Sequence, residues 1–423
     1  MKRRHFLTAA GLSFARCAAV PLLARQPKRG RTQKNELKKL VVIFQRGGND
    51  AINTLAPVGD REQQQRYRAM RPDLSIPNEH LLSLNPSPFF GFHPSLAPLS
   101  DIINAGKASF VHAVGYPSMN TSHFVAQSFL ETAEPGNRRG SGWLNRFFAA
   151  DPAARPFRAL MVAANVSQTM TGPYTVPVSN NFGLLNMPLH GRLAANERDA
   201  YEHALRTLAV EGHDHRVPAL KRTTESLLAM FDRFEDRNAD SYQPANEAEY
   251  PETDLGYRLK HAAQMLKDEP SELNIEAVMV NHEGYDHHAA QVVPGQVTQG
   301  NHANLLADLS RGIQALYQDL GPDALDNVVV LVISEFGRTL HQNGSHGTDH
   351  GHASVAMVFG GANHGVALNG GADWPGLEGN HLPWRTDYRD IYSEILRGHL
   401  NAGDHEIRQA IPNHTPTPLG ILG

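Results

Sequence analysis

Residues 328–333 are six apolar residues in succession, and the run ends abruptly on Ser334, Glu335, Phe336, Gly337 and Arg338. A strand with no polar face must be covered on both sides, the signature of a central strand in a parallel sheet. Similar runs occupy residues 40–44, 108–114, 160–164, 275–280 and 355–359. Helical patterns fill the intervals at 95–105, 122–132, 302–320 and 386–400. This alternation predicts an α/β fold, a doubly wound, mostly parallel sheet flanked by helices. Residues 193–267 contain no comparable run and are rich in helix formers, so a helical insertion is expected there.

Ligands of such sheets gather at the carboxyl ends of the strands. Residues 40–44 run into Gln45-Arg46-Gly47-Gly48-Asn49-Asp50, and 275–280 run towards Asp286-His287-His288. The loop before 355–359 carries Asp349, His350 and His352. Asp50 reads as a carboxylate at a strand mouth or, equally, as the N-cap of a following helix. Asp286 with His288, and Asp349 with His350 and His352, mix hard and borderline donors. That mixture suits Zn²⁺, with Ca²⁺ or Mg²⁺ as harder alternatives and one or two ions in the site. His213 and His215 have similar neighbours but fall in the helical stretch, so they are expected to lie outside the site.

Histidine is abundant, 23 of 423 residues, whereas Cys17 is the single cysteine. Cysteine nucleophiles and thiolate metal sites are therefore excluded once a leader is removed. Ser118, Asn120, Thr121 and Ser122 directly precede the 122–132 helix. Serine there caps a helix, but the same place suits a nucleophile, because the positive end of the helix dipole favours an alkoxide and a phosphate or sulfate. A hydroxyl of this group is accordingly a candidate nucleophile, and Arg46 and Arg338 are candidate clamps on an oxyanion or, equally, salt-bridge partners of neighbouring carboxylates. No His-Glu-x-x-His helix is present, which disfavours a metallopeptidase.

The N-terminus has the form of an export leader. Lys2, Arg3 and Arg4 precede Phe6, Leu7 and a weakly apolar stretch broken by Arg16. This is a twin-arginine signal over residues 1–24, too short and too interrupted to span a bilayer. It implies the twin-arginine translocase as a partner and a periplasmic or secreted product. A basic linker, 25–39, precedes the main domain, 40–423. Removing 1–24 strips four cations and no anion, taking the net charge from −4 to −8. Neither value gives a footprint for nucleic acid.

Six ordered blocks carry a resemblance: FQRGGNDAINTLAP, HPSLAPL, VGYPSMNTSHFVAQSFLETA, GWLNR, GYDHHAAQ and VISEFGRTLHQNGSHGTDHGHASVAMVFGG. Over residues 38–400 the chain resembles a bacterial twin-arginine-exported family of unknown function, similar in turn to the alkaline phosphatase/sulfatase superfamily. The resemblance implies an alkaline-phosphatase-like sheet with one or two divalent metals and a Ser or Thr nucleophile. Asp50 then stands for the first-strand aspartate ligand, Ser122 for the nucleophile, and Asp286 and His288 for one metal centre. Glu335 takes the place of an acid of the second centre, and His350 that of the late histidine. Two departures point to a one-metal site or a changed reaction: Phe336 stands where the superfamily has a ligand, and the Asp286-x-His288 spacing is short. The expected function is an exported metal-dependent hydrolase of an anionic small-molecule or glycan ester, phosphate or sulfate. The alternative is a catalytically silent exported protein that binds an anionic glycan or envelope polymer.

Overall fold

Among the residues described by the computed structural model (37–85, 87–151, 157–184, 195–211, 218–234, 237–267 and 274–423), eleven strands alternate with helices. The leader, residues 25–36 of the linker, and His213 and His215 lie outside the described residues. In chain order the strands are β1 (Lys39–Gln45), β2 (Leu55–Pro57), β3 (Phe90–Phe92), β4 (Ala108–Gly115), β5 (Ala159–Val162) and β6 (Val178–Ser179). They continue as β7 (Ala277–His282), β8 (Val328–Ser334), β9 (Ser354–Gly360), β10 (Ala367–Leu368) and β11 (Thr386–Asp387).

Nine of them form one sheet in the order β10-β4-β9-β8-β1-β7-β5-β6, with β11 beside the end of β4. All neighbours are parallel except β9, which runs antiparallel to both β8 and β4. That reversal brings the loop before β9 to the edge where β1, β7 and β8 end. Register completes the alignment, since Gln45 lies opposite both Ser334 and His282. The strands β2 and β3 make a separate antiparallel pair.

The apolar runs are buried on both faces, as their lack of alternation requires. Val41 and Ile43 face one core layer, shared with the helices Asp254–Leu266 and Asn301–Leu320. Leu40, Val42 and Phe44 face the other, shared with Trp143–Ala150 and Tyr388–Gly398. Full burial of each such side chain contributes about 1.5–3 kcal/mol, so the central strands are the rigid platform of the molecule. Residues 193–267 hold the helices Ala195–Glu211, Pro218–Phe234 and Asp254–Leu266. The last of these buries Leu255, Leu259, Ala262 and Leu266 in the first core layer. The expected helix at 95–105 divides into a 3₁₀ segment, Pro94–Leu99, and a short α-helix, Ser100–Asn104, because Pro98 lacks the N–H a continuous α-helix needs.

Candidate metal centre

Four side chains from three loops meet at the carboxyl edge of the sheet. His123 opens the helix His123–Thr132 after β4, Asp286 and His288 follow β7, and His350 precedes β9. The Nε2 atom of His350 lies 2.9 Å from Nε2 of His123 and 2.9 Å from Nε2 of His288. Asp286 Oδ1 lies 3.4 Å from His123 Nε2, 3.0 Å from His288 Nε2 and 3.2 Å from His350 Nε2. His123, Asp286 and His350 each offer an atom within 4.8 Å of the other two, and His288 touches this group through His350 and Asp286.

The other nitrogen of each ring fixes its tautomer. His123 Nδ1–H donates to Glu335 Oε1 at 2.7 Å, and His288 Nδ1–H donates to Asp349 Oδ1 at 2.9 Å. His350 Nδ1–H donates to the carbonyl of Thr121 at 2.7 Å. All three acceptors lack a proton to give, so in the neutral rings all three Nε2 lone pairs face the cluster. Metal-ligating histidines are oriented in this way, through a carboxylate or carbonyl behind the ring. Donors bound to one ion at about 2.0 Å sit roughly 3 Å apart, close to the separations among His123, Asp286 and His350. The residues fit a divalent ion.

Electrostatics agree with that assignment. Burial pushes the Asp286 carboxyl up, but Arg338, then His123 and His288, outweigh it and hold the pKa at about 2. Burial also raises Glu335, yet hydrogen bonds from His123, Gln127 and Gly47 bring it below its usual value. Burial lowers His123, and the hydrogen bond and charge of Glu335 reverse that to a net rise. The hydrogen bond from His288 holds Asp349 low. Burial lowers His350. Both backing carboxylates and the Asp286 ligand are thus ionised at neutral pH.

Gly47 and Gly48 allow the loops to approach this closely. Gly47 has φ +116, and a Cβ on it would meet the Asp286 nitrogen at 2.5 Å; Gly48 has φ +79, and its Cβ would meet the Phe336 ring at 2.7 Å. Both conformations are ones that side chains rarely tolerate.

The structure brings Asp286, His288, His350, Glu335 and Asp349 together, and redistributes their roles. Glu335 and Asp349 accept from the Nδ1 atoms of His123 and His288, on the side of each ring away from the cluster. Asp50 is committed elsewhere. It is buried, its Oδ2 accepts from Arg71 Nη1 at 2.7 Å and from Gln291, and it caps the short helix Ala51–Thr54. It is not among the groups that converge at the sheet edge. His352 stacks on His381, with ring centroids 4.2 Å apart, and is not among the converging groups.

Arg338 is buried with its donors engaged by the carbonyls of Gly47, Gly48, Tyr285 and Thr348 and by Asp286 Oδ1 at 2.6 Å. It holds the ligand loop in place of clamping an oxyanion. Arg46 pairs with Glu131 and bonds Gln127 and Asn281. Ser122 is the exposed N-cap of the helix His123–Thr132, and its side chain makes no capping bond.

His123 and Gln127 were not among the expected site residues. The available signal was the one used elsewhere, a histidine in the segment leaving a buried strand, here β4. Phe336 packs against both His123 and His350, at centroid distances of 4.8 and 5.1 Å.

Residues 37–409 match the family profile described as "Protein of unknown function (DUF1501)". No curated protein matches the chain. Among solved structures, the C-terminal periplasmic domain of EcEptC from Escherichia coli, in complex with Zn, is 10% identical with a TM-score of 0.34. The alignment covers 78% of this chain and 74% of that one. Ps i-CgsB in complex with k-i-k-neocarrahexaose is 11% identical with a TM-score of 0.36, covering 91% and 76%. The phosphonate monoester hydrolase of Agrobacterium radiobacter is 10% identical with a TM-score of 0.32, covering 91% and 78%. At such distances these likenesses carry no argument about activity.

Proposed function

The chain belongs to the DUF1501 family, and since that family has no assigned chemistry, we propose a function from the metal centre itself: exported, metal-dependent hydrolysis of a phosphate or sulfate ester. The observation that carries it is the convergence of three histidine Nε2 atoms and Asp286 Oδ1, each ring backed by an acceptor at Nδ1. His123, His350 and Asp286 hold one ion in this reading, with His288 beside Asp286 and His350 as a neighbouring donor. A bound divalent cation supplies positive charge against the ester's oxygens and lowers the pKa of a hydroxyl beside it.

Ser122 is the nucleophile in this proposal. It is exposed and stands at the N-terminus of the helix whose first residue is His123. The positive end of that helix attracts an anion and favours the ionised hydroxyl. Arg338 and Arg46 are spent on Asp286 and Glu131, so the anion's charge is met by the ion and the helix end. Export through residues 1–24 belongs to the same proposal; among the described residues no helix is long and apolar enough to cross a membrane.

The test is elemental analysis of protein purified from its own envelope, followed by turnover of p-nitrophenyl phosphate and p-nitrophenyl sulfate. About one zinc per chain, lost in His350→Ala, and turnover of either ester support the reading. Metal-loaded protein that cleaves no ester in a broad panel transfers the assignment to binding of an anionic glycan.

A further inference from the structure

Two of the three ligand-bearing loops are joined by a buried side-chain chain that includes no ligand. Arg71 Nη1 fixes Asp50 Oδ2 from one side, and Gln291 Nε2 donates to the same oxygen from the other. The amide's orientation is thereby set, because a carboxylate accepts only. Gln291 Oε1 must then accept, and it takes the hydroxyl of Thr348 at 2.8 Å. Thr348 in turn donates its N–H to the His287 carbonyl at 3.0 Å and offers its own carbonyl to Arg338 Nη1 at 3.1 Å. Gln291 donates its N–H to the His346 carbonyl at 2.9 Å, so the two loops are stitched at both ends. Asp50, Gln291 and Thr348 are 1%, 0% and 0% exposed, out of reach of competing water.

We propose that Asp50, Gln291 and Thr348 form a positioning bracket that sets the spacing between the Asp286/His288 loop and the Asp349/His350 loop, and through it the affinity for the metal. Thr348 immediately precedes Asp349 and His350, while Asp286 and His288 lie shortly before Gln291 in the same loop. Each donor and acceptor has one permitted direction along this chain, so the bracket holds the two loops in a single relative register. A ligand ring needs its donors placed within about 0.5 Å, and outer partners of this kind typically change metal affinity 10- to 100-fold. The inference rests on the metal-centre reading and extends it to residues that touch no ion.

Thr348→Val removes the hydroxyl with little change of shape, and Thr348→Ser restores it. Co²⁺ titration of the metal-free full-length protein, followed by visible absorption, gives both affinity and ligand geometry; melting in EDTA reports the fold separately. The expected result is about 10- to 100-fold weaker Co²⁺ binding and an altered absorption band for Thr348→Val, with Thr348→Ser close to wild type. Gln291→Met, which breaks the bracket from its other side, is expected to weaken binding similarly and stands in if Thr348→Val does not fold. Wild-type affinity and spectrum in Thr348→Val and Gln291→Met overturn the bracket and leave the metal centre intact. A wild-type protein that takes up no Co²⁺ overturns the metal centre and the bracket with it.

Discussion

Asp50→Asn separates an anchor from a ligand, and its consequence can be worked from the buried pair it breaks. Burial pushes the Asp50 carboxyl up, but the charge of Arg71 and hydrogen bonds from Arg71 and Gln291 outweigh this and hold it at about 2, against an ordinary 3.8. The unfolded chain therefore binds a proton at this residue before the folded one does. The resulting stabilisation is fully present above about pH 4 and is lost as the pH falls through 3.8 towards 2. A shift of this size corresponds to about 2 kcal/mol. At neutral pH the asparagine variant suffers more than that, because Arg71, 0% exposed, loses its counter-ion. Removing one partner of a buried pair typically costs about 3–5 kcal/mol. Urea unfolding of both proteins in EDTA, from pH 7 down to pH 2, measures the gap between them. It should be about 3–5 kcal/mol at pH 7 and shrink by about 2 kcal/mol below pH 3. A gap that stays constant across the acid range, or is below about 1 kcal/mol at neutrality, would refute the buried-pair argument.

Glu335→Gln keeps the shape but removes the charge behind His123, and is expected to weaken zinc about 10- to 100-fold; His123→Ala should lose more, and equal losses would return Glu335 to the ligand ring. Zinc occupancy should fall on acidification as the histidines protonate, with His123 taking its proton at a higher pH than an ordinary histidine; a competition titration with a chelator across pH 5–8 reads this. Ser122→Gly should cost only a few tenths of a kcal/mol in stability yet lower turnover by orders of magnitude, while Thr121→Val keeps it. The reverse pattern would move the nucleophile to Thr121. Changing Arg3 and Arg4 to lysine should leave the protein in the cytoplasm, as fractionation will show.

The central strands were legible because β1, β4, β5, β7, β8 and β9 are buried on both faces, so continuous apolar runs marked them to within about two residues. The short strands β2, β3, β6, β10 and β11 carried no such run. Membership of the cluster was legible only where the chain places donors beside one another. Asp286 and His288 stand together after β7, and Asp349 and His350 stand together before β9; both pairs meet in the cluster. Asp50 looked like a ligand because Arg71, its partner, follows the helix Arg61–Met70, a separation at which sequence pattern shows no pairing. His123 was passed over in favour of Ser122 next to it. Side chains on a helix point back towards its N-terminus, so the first helical residue, His123, reaches the cluster at the mouth of the sheet.

The same geometry explains why a buried strand should end on a carboxylate. The register of β8 against β1 sets Ser334 opposite Gln45, and Glu335 therefore emerges beside Gly47. There it accepts from the Gly47 N–H at 2.8 Å, Gln127 at 3.0 Å and the Ser334 hydroxyl at 3.1 Å. Hydrogen bonds of this number keep a fully buried carboxyl ionised. Its remaining capacity goes to His123 Nδ1, which turns the opposite nitrogen towards Asp286 and His350. A negative charge too buried to meet solvent is thus delivered through one imidazole ring to the place where a cation would sit.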